Sequence, residues 1–291
     1  MPILRMLRGA SLQRTFWHTS FTQQPHNPVA KNKLAKFADM KEIPFVFQYP
    51  FSVLREQGFA LRGHWHSDFF HNDNPIVLEL GCGKGEYTVD LAVRNPGRNY
   101  IGIDIKGARM WTGATRAQKL GLKNVAFLRT SIELLESFFA PGEVAEIWIT
   151  FADPQMKKQR KRLTSARFLE LYRHVLAPGG LINLKTDSPF LYTYTRRLCE
   201  ANPQALDVRH DVPNLYALTP EEAPTPLDIR THYEQQWLDR GLTIKYIKFA
   251  LDHITELTEP EIEIEEDTYR SFSRGYIQCP DEMKSKGIDN D

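Results

Sequence analysis

The sequence has few cysteines, no long apolar run and almost no net charge, and each shortage excludes a class of protein. Its three cysteines, Cys82, Cys199 and Cys279, are odd in number and far apart. They predict neither a disulfide framework nor a zinc site, and a reducing cytosol is the expected compartment. No apolar run approaches the roughly 20 residues that a membrane-spanning helix needs, so no membrane contact is expected. Because the net charge is only +1, any nucleic-acid surface must come from local clusters of basic residues.

The chain divides into a central region and two extensions that differ from it in composition. Its 291 residues are enough for one large domain or two small ones. Residues 1–30 carry three arginines, no acidic residue and no long apolar run. Their composition is similar to that of a transit peptide, but a disordered extension is the favoured prediction. Residues 31–255 are expected to form the domain, and residues 256–291 are predicted to be an acidic tail, mobile from about residue 272.

Strand-like and helix-like runs alternate from residue 76 onward. Strands are expected at 76–80, 99–105, 124–130, 146–151, 181–187 and 244–251, and helices at 86–94, 107–120, 132–139, 165–176, 189–201 and 231–240. This alternation predicts an α/β fold, in which a parallel sheet carries helices on both faces. Residues 203–229 are rich in proline and are predicted to be irregular, and the run EIEIEE at 261–266 is compatible with an edge strand.

A histidine-rich stretch, GHWHSDFFHND at 63–73, raises the question of a metal site. His64 and His66 would share one face of a strand, but no distant ligand completes a recognisable zinc spacing. We therefore expect its aromatic residues to pack against the edge of the sheet, and we expect no metal.

The stretch LELGCGKGEY at 78–87 predicts a strand, a tight glycine turn and the start of a helix. Many α/β folds bring the backbone close to a nucleotide-like cofactor in this way. Glycine suits the turn because it adopts positive φ and has no side chain to keep the ligand away. A P-loop is excluded because Lys84 is followed by Gly85 rather than by Ser or Thr.

Three carboxylates follow strands at the edge where such a cofactor would lie. Glu79 comes just before the glycine turn, Asp104 ends the next strand, and Asp153 follows the fourth strand. A carboxylate at the position of Asp104 can bind the hydroxyls of an adenosine ribose, which suits NAD and S-adenosylmethionine equally. A dehydrogenase would also need a sizeable substrate domain, so S-adenosylmethionine is the favoured cofactor. The plainer alternative for Glu79 is that it only caps the glycine turn.

A dense basic stretch, FADPQMKKQRKRL at 151–163, follows the fourth strand. Such a run is usually a solvated helix face. Here it stands at the rim of the expected cofactor site in a chain of almost no net charge, which favours phosphate contacts and a nucleic-acid substrate. Its basic residues are Lys157, Lys158, Arg160, Lys161 and Arg162.

Together these motifs resemble the tRNA (guanine-N7)-methyltransferases of bacterial type. The resemblance covers roughly residues 31–251 and rests on LELGCGKGEY, YIGIDIKGARMW (100–111), FADPQMKKQRKRL, PGGLINLKTD (178–187) and THYEQQWLDRG (231–241). It implies a Rossmann-like class I methyltransferase fold with a mostly parallel, seven-stranded sheet. It also implies methylation of guanine N7 in tRNA, in the variable loop. Ala152 and Gln155 depart from the family's FPDPW pattern but leave the aspartate and the lysine in place.

The resemblance also implies roles for single residues. The implied cofactor-binding residues are Glu79, Gly81, Asp104, Thr130 and Ser131, together with Asp153, which is also the implied catalytic residue. The implied substrate-binding residues are Lys157, Asp187, Thr231 and Glu234. Helix capping is the alternative for the last three. Asp187 would cap the helix that begins at Ser188, and the T-x-x-E spacing of Thr231 and Glu234 is that of a capping box.

The chemistry of guanine N7 explains why the motifs supply carboxylates without a histidine or cysteine nucleophile. N7 carries an in-plane lone pair and no proton, so it can attack the methyl group directly and needs no general base. Two alternatives stay open: another S-adenosylmethionine-dependent RNA methyltransferase, and a catalytically silent RNA-binding protein with the same fold. The expected partner is tRNA, and the sequence indicates no obligate protein partner.

Overall fold

The structure is a computed structural model that describes residues 28–219, 222 and 228–268. Helix α1 begins at Pro28, so the last three residues of the predicted N-terminal extension are helical. The rest of that extension lies outside the described residues, as does the part of the acidic tail for which mobility was predicted.

Within the described residues, the strands form one eight-stranded, mostly parallel sheet, as expected for an α/β fold. Their order in the sheet is β1-β4-β3-β2-β5-β6-β8-β7, and β8 runs antiparallel to both β6 and β7. The sheet has one strand more than the expected seven, since the short β1 pairs with the edge of β4. The strands are β1 (Val46–Gln48), β2 (Ile76–Leu80), β3 (Asn99–Ile103), β4 (Val125–Arg129), β5 (Val144–Thr150), β6 (Leu176–Thr186), β7 (Leu206–Val212) and β8 (Lys245–Leu251).

Helices cover both faces of the sheet, because successive side chains of each central strand point to opposite sides. In β2, Ile76, Leu78 and Leu80 enter one apolar core, while Val77 enters the other. The first core is covered by α2 (Phe51–Gln57), α5 (Leu135–Phe138), α6 (Ala166–Arg173) and α7 (Pro189–Ala201). The second is covered by α1 (Pro28–Lys41), α3 (Glu86–Arg94), α4 (Gly107–Leu120) and α8 (His232–Leu238). The predicted two-sided coverage is therefore confirmed.

The histidine-rich stretch forms a single π-helical turn, Trp65–Phe70, on the first core. Trp65 is fully buried and donates a hydrogen bond from Nε1 to the carbonyl of Phe138 at 3.0 Å. Nε2 of His66 bonds the carbonyl of Asn74, and Nδ1 of His71 bonds that of Ser67. The segment packs through its aromatic rings, as predicted. In the part of the chain that the structure describes, no group of His, Cys, Asp or Glu side chains is arranged to hold a metal ion.

Two predictions about irregular regions are corrected. The segment 203–229 contains β7, an edge strand in which Leu206, Val208 and Val212 alternate with polar residues, but the run is short and stands between Pro203 and Pro213. The run 261–266 forms no strand and continues a segment that crosses α6 and α7. No helix within the described ranges is long and apolar enough to cross a membrane.

Candidate active site at the carboxyl edge of the sheet

Five parallel strands bring most of the expected site residues to one edge of the sheet. Across neighbouring strands, the residues that follow β4, β3, β2, β5 and β6 stand side by side. They are, in that order, Ser131, Asp104, Gly81, Asp153 and Asp187. In open α/β sheets, ligands bind in the crevice outside the carboxyl ends of the strands.

The glycine turn needs its glycines for two different reasons. Gly81, Gly83 and Gly85 all have positive φ, at 77°, 56° and 69°. A Cβ added to Gly81 would meet nothing within 4 Å, so the space beside that backbone is open. A Cβ on Gly85 would instead lie 2.6 Å from the ring of Phe127. Gly85 therefore allows close packing of the turn against β4, while Gly81 leaves room for a ligand.

Glu79 connects the start of α3, directly after the glycine turn, to the end of β5. Its side chain is buried, and its Oε2 accepts hydrogen bonds from the backbone N of Thr88 at 2.8 Å and from the Thr88 hydroxyl. Its Oε1 accepts a hydrogen bond from the Thr150 hydroxyl at 2.6 Å. Burial raises the pKa of Glu79 to about 7, and the two threonine side chains oppose that rise. Its observed contacts cap the first turn of α3 rather than the glycine turn itself, and a direct cofactor contact stays a prediction.

Asp104 links the end of β3 to the glycine turn. Its Oδ2 accepts a hydrogen bond from the backbone N of Gly83 at 2.9 Å, and its Oδ1 accepts one from that of Lys106 at 2.7 Å. A carboxylate has about four acceptor positions, so two remain for ligand hydroxyls. Next along the edge, Thr130 is buried, and the hydroxyl of the half-buried Ser131 donates to Glu133.

Asp153 lies in a turn that has a left-handed backbone conformation two residues before it and two residues after it. Phe151 and Gln155 have positive φ, at 51° and 48°, although neither is glycine. Such left-handed residues cost of order 1–3 kcal/mol each and are commonest at functional sites. The turn is held by Oδ1 of Asp153, which accepts a hydrogen bond from the backbone N of Gln155 at 2.9 Å, and by the N of Phe151, which donates to Lys185 O. The Asp153 side chain is left exposed at the edge of the sheet.

The basic stretch separates into an exposed group and one buried arginine. Four side chains are exposed around a short 3₁₀ turn: Lys157, Lys158, Arg160 and Lys161. Arg162 is buried and donates from Nη2 to the carbonyl of Met156 at 2.6 Å and from Nε to that of Gln155 at 3.2 Å. Its guanidinium also stacks on Phe190 and Tyr194, and burial lowers its pKa. Arg162 therefore holds the loop together from inside, and its RNA contact stays a prediction.

Asp187, Thr231 and Glu234 lie in the interior. Asp187 is buried directly before α7, whose N-cap is Ser188, with its Oγ accepting from the backbone N of Leu191 at 2.9 Å. Thr231 and Glu234 form the predicted capping box of α8. The Thr231 hydroxyl accepts from the N of Glu234 at 3.1 Å, and the Glu234 carboxylate accepts from the N of Thr231 at 3.4 Å. The capping box is confirmed, and the substrate contacts of these residues stay predictions.

The structure adds one charged residue that sequence reasoning missed. Lys185, in β6, is fully buried and lies 2.9 Å from Oε1 and 3.0 Å from Oε2 of Glu234. It also donates to the carbonyl of Ile229 at 2.8 Å, while the hydroxyl of Tyr216 donates to Glu234. Burial lowers the pKa of Lys185, and the Glu234 carboxylate opposes that shift. A single lysine in the apolar run LINLKTD was the available signal for a buried acidic partner.

Comparison with known proteins places the chain among methyltransferases. A family model described as "Putative methyltransferase" matches residues 73–247. The chain is 64% identical over 238 residues to the "tRNA (guanine-N(7)-)-methyltransferase" of Porphyromonas gingivalis, covering 81% of this chain and 96% of that protein. The protein of the same name from Bacteroides fragilis is 58% identical, with 84% and 96% covered. That of Listeria monocytogenes is 31% identical, with 78% and 97% covered.

Proposed function

The chain belongs to the tRNA (guanine-N(7)-)-methyltransferase family, and we propose that it transfers a methyl group from S-adenosylmethionine to N7 of a guanine in tRNA. The observation that carries this proposal is the carboxyl edge of the sheet. There the exposed Asp153 stands between a glycine turn with open space beside it and a loop with four exposed basic residues. The guanine that we propose as the target lies in the variable loop.

We assign cofactor binding to the glycine turn and to the ends of β3 and β4. S-adenosylmethionine supplies an electrophilic methyl group on a positively charged sulfur. Gly81 would lie against its methionine end, Asp104 would accept the ribose hydroxyls through its two remaining acceptor positions, and Thr130 with Ser131 would line the side toward β4. The fit rests on the open space at Gly81 and on the partial exposure of Asp104. Glu79 would act mainly by fixing the turn, through its bonds to Thr88 and Thr150.

We assign catalysis to orientation and electrostatics. Guanine N7 has no proton to lose, and the base becomes cationic as the methyl group arrives. Asp153, held at the edge by its bond to Gln155 N, would position the guanine and stabilise the developing positive charge. Asp153 would also approach the amino group of the cofactor, because the glycine turn follows the neighbouring strand β2.

We assign tRNA binding to the exposed part of the basic stretch at 151–163, which we call the basic loop. Lys157, Lys158, Arg160 and Lys161 would contact phosphates, which gives affinity and register without sequence selection. Lys157, four residues after Asp153, would bind the RNA phosphate backbone beside the target base. Asp187, Thr231 and Glu234 are buried, so they would support the substrate-facing elements from within.

We also propose a cytoplasmic location, which the free thiols of Cys82 and Cys199 support.

The direct test is incubation of the purified chain with bulk tRNA and labelled S-adenosylmethionine, followed by nucleoside analysis. We expect the label in 7-methylguanosine. Label in another nucleoside would identify a different RNA methyltransferase, and tRNA binding without label would identify a silent RNA-binding protein. A parallel binding titration with S-adenosylmethionine separates failure of cofactor binding from failure of transfer.

A further inference from the structure

Residues 252–268, which we call the C-terminal strap, cross the outer side of α6 and α7. The strap is first fixed by Arg173 at the end of α6, which donates to the carbonyls of Asp252 and Thr255, each at 2.8 Å. It is then fixed at the C-terminal end of α7, where Asn202 exchanges two hydrogen bonds of 2.7 Å with the backbone of Thr258. From there the strap runs back to the other end of α7, which is the end that faces the site.

Glu259 connects the strap to the basic loop. Its Oε2 accepts hydrogen bonds from the side chain of Gln159 at 2.8 Å and from the hydroxyl of Tyr194. Its Oε1 accepts one from the backbone N of Ala166 at 3.0 Å, at the start of α6, where Ser165 provides no side-chain cap. Tyr194 is one of the two rings on which Arg162 stacks. A single carboxylate therefore touches the loop at Gln159 and supports the arginine that holds the loop from inside.

Asp267 connects the strap to the start of α7. Its Oδ1 accepts from the backbone N of Phe190 at 3.0 Å, and its Oδ2 accepts from the hydroxyl of Ser188. A carboxylate at a helix N-terminus is favoured by the helix dipole, more so when it is buried as Asp267 is. The N of Asp267 approaches Sδ of Met156 at 3.1 Å, which belongs to the same basic loop. Asp267 thus binds Ser188, the residue that follows Asp187, and also contacts the loop that carries Asp153.

We propose that Glu259 and Asp267 are positioning residues for methyl transfer, through which the C-terminal strap holds the basic loop and the start of α7 in the arrangement that receives tRNA. The catalytic part of this proposal rests on the proposed function, because it assumes that the chain methylates tRNA. Neither residue faces the cofactor end of the edge, which is formed by β2, β3 and β4 on the far side of β5. Loss of either carboxylate should therefore affect the RNA side of the reaction and leave cofactor binding intact.

The experiment compares three strap variants and one control in the full chain. Glu259→Gln turns one of the two acceptor oxygens into an NH₂ donor and leaves the other uncharged, so the bond from Ala166 N or those from Gln159 and Tyr194 are lost and the rest are weakened. Asp267→Ala removes the anion at the start of α7. Asp267→Asn keeps an acceptor for Phe190 N and should behave almost like the unmodified protein. The matched control is Glu265→Gln, because Glu265 is exposed on the same strap and loses the same charge.

The first readout is amide hydrogen exchange of residues 155–162 without RNA, well below the melting temperature of each variant. The backbone bonds Lys158 N to Gln155 O and Arg162 N to Gln159 O protect this loop. We expect roughly tenfold faster exchange in Glu259→Gln and Asp267→Ala, with Glu265→Gln unchanged. Unchanged exchange in both variants, or an equal effect in the control, would overturn the proposal.

The second readout compares three quantities for each variant: the KM for tRNA, kcat, and the affinity for S-adenosylhomocysteine. We expect the KM for tRNA to rise roughly tenfold with cofactor affinity within twofold, and recovery in Asp267→Asn. Lower melting temperatures with normal exchange and normal KM would show a purely structural strap and would also overturn the proposal. If the unmodified protein forms no 7-methylguanosine, the proposed function fails, and the exchange result still decides whether the strap positions the loop.

Discussion

At the scale of single residues, Asp153 is the side chain on which the assigned chemistry depends most. Asp153→Asn keeps an Oδ1 acceptor for Gln155 N, so the turn should persist while the negative charge is lost. We expect single-turnover methyl transfer to fall by roughly 10²- to 10³-fold, as for other preorganised electrostatic groups, with tRNA affinity changed less than twofold. Rapid-quench assays with enzyme in excess and a filter-binding titration measure the two quantities. Transfer at the unmodified rate would remove Asp153 from the mechanism.

Glu79 should make stability depend on pH in an unusual direction. Its pKa is raised by burial from 4.5 to about 7, so the folded state holds the proton more tightly than the unfolded chain does. That contribution to stability is complete below pH 4.5 and is lost as the pH rises through 7. Relative to Glu79→Gln, the unmodified protein should lose roughly 1–3 kcal/mol of unfolding free energy between pH 5 and pH 8. Urea titrations across that range check this, and parallel pH curves for the two proteins would contradict it.

At the scale of secondary structure elements, the crossing of α4 over the glycine turn depends on a glycine that no fingerprint includes. A Cβ on Gly113 would lie 2.7 Å from the carbonyl of Lys84 and 2.9 Å from the Cα of Gly85. Gly113→Ala should force the helix and the turn apart, costing roughly 1–3 kcal/mol of stability and weakening S-adenosylmethionine binding. Gly97→Ala is the matched control, since a Cβ there meets nothing within 4 Å and its φ is not positive. Thermal unfolding and calorimetric titration measure both effects, and equal behaviour of the two variants would refute the close-packing argument.

The basic loop should separate into residues that bind RNA and a residue that builds the loop. Arg160→Ala combined with Lys161→Ala removes two exposed charges, and we expect the salt dependence of tRNA binding to flatten by roughly one to two units of log–log slope, with stability unchanged. Arg162→Lys keeps the charge but loses the planar group that stacks on two rings and bonds two carbonyls. Arg162→Lys should therefore lower the melting temperature rather than change the salt dependence of tRNA binding. Binding titrations from 50 to 200 mM salt, with melting curves, distinguish the two, and a reversed pattern would contradict the division.

The sequence predicted the elements whose burial leaves a periodic pattern, and missed those defined by distant partners. Strands β2 to β5 and helices α3, α4 and α7 follow from apolar periodicity and capping signals close to their observed bounds. β7 was missed although Leu206, Val208 and Val212 alternate with charged residues, because the run is short and stands between Pro203 and Pro213. The role of Glu79 could not be chosen from its position alone, because its partner Thr150 lies in another strand. Asp267 was unrecognised for the same reason, since its contacts lie in α7 and the basic loop.

At the scale of the whole molecule, one buried charge pair joins the parts that form the site. Nζ of Lys185 is bonded to Glu234 of α8 and lies 5.3 Å from the ring of Tyr87 in α3 and 5.9 Å from those of Phe151 and Tyr216. The helix after the glycine turn, the turn that carries Asp153 and the segment before α8 thus meet around one ammonium group. Since the pair is fully buried, each charge relies on the other to offset the cost of desolvation.

Breaking this pair should therefore destabilise the entire fold, whereas replacing both partners should be tolerated. Lys185→Met leaves the Glu234 carboxylate buried without its cation, and we expect a loss of roughly 3–5 kcal/mol of unfolding free energy. Adding Glu234→Gln removes that charge and keeps an acceptor for the Tyr216 hydroxyl, so the double variant should recover more than half of the loss. A double-mutant cycle from urea unfolding measures the coupling. Simple additivity of the two substitutions would mean that the pair does not hold these elements together, and that apolar packing around Tyr87 and Trp237 fixes α8 on the sheet instead.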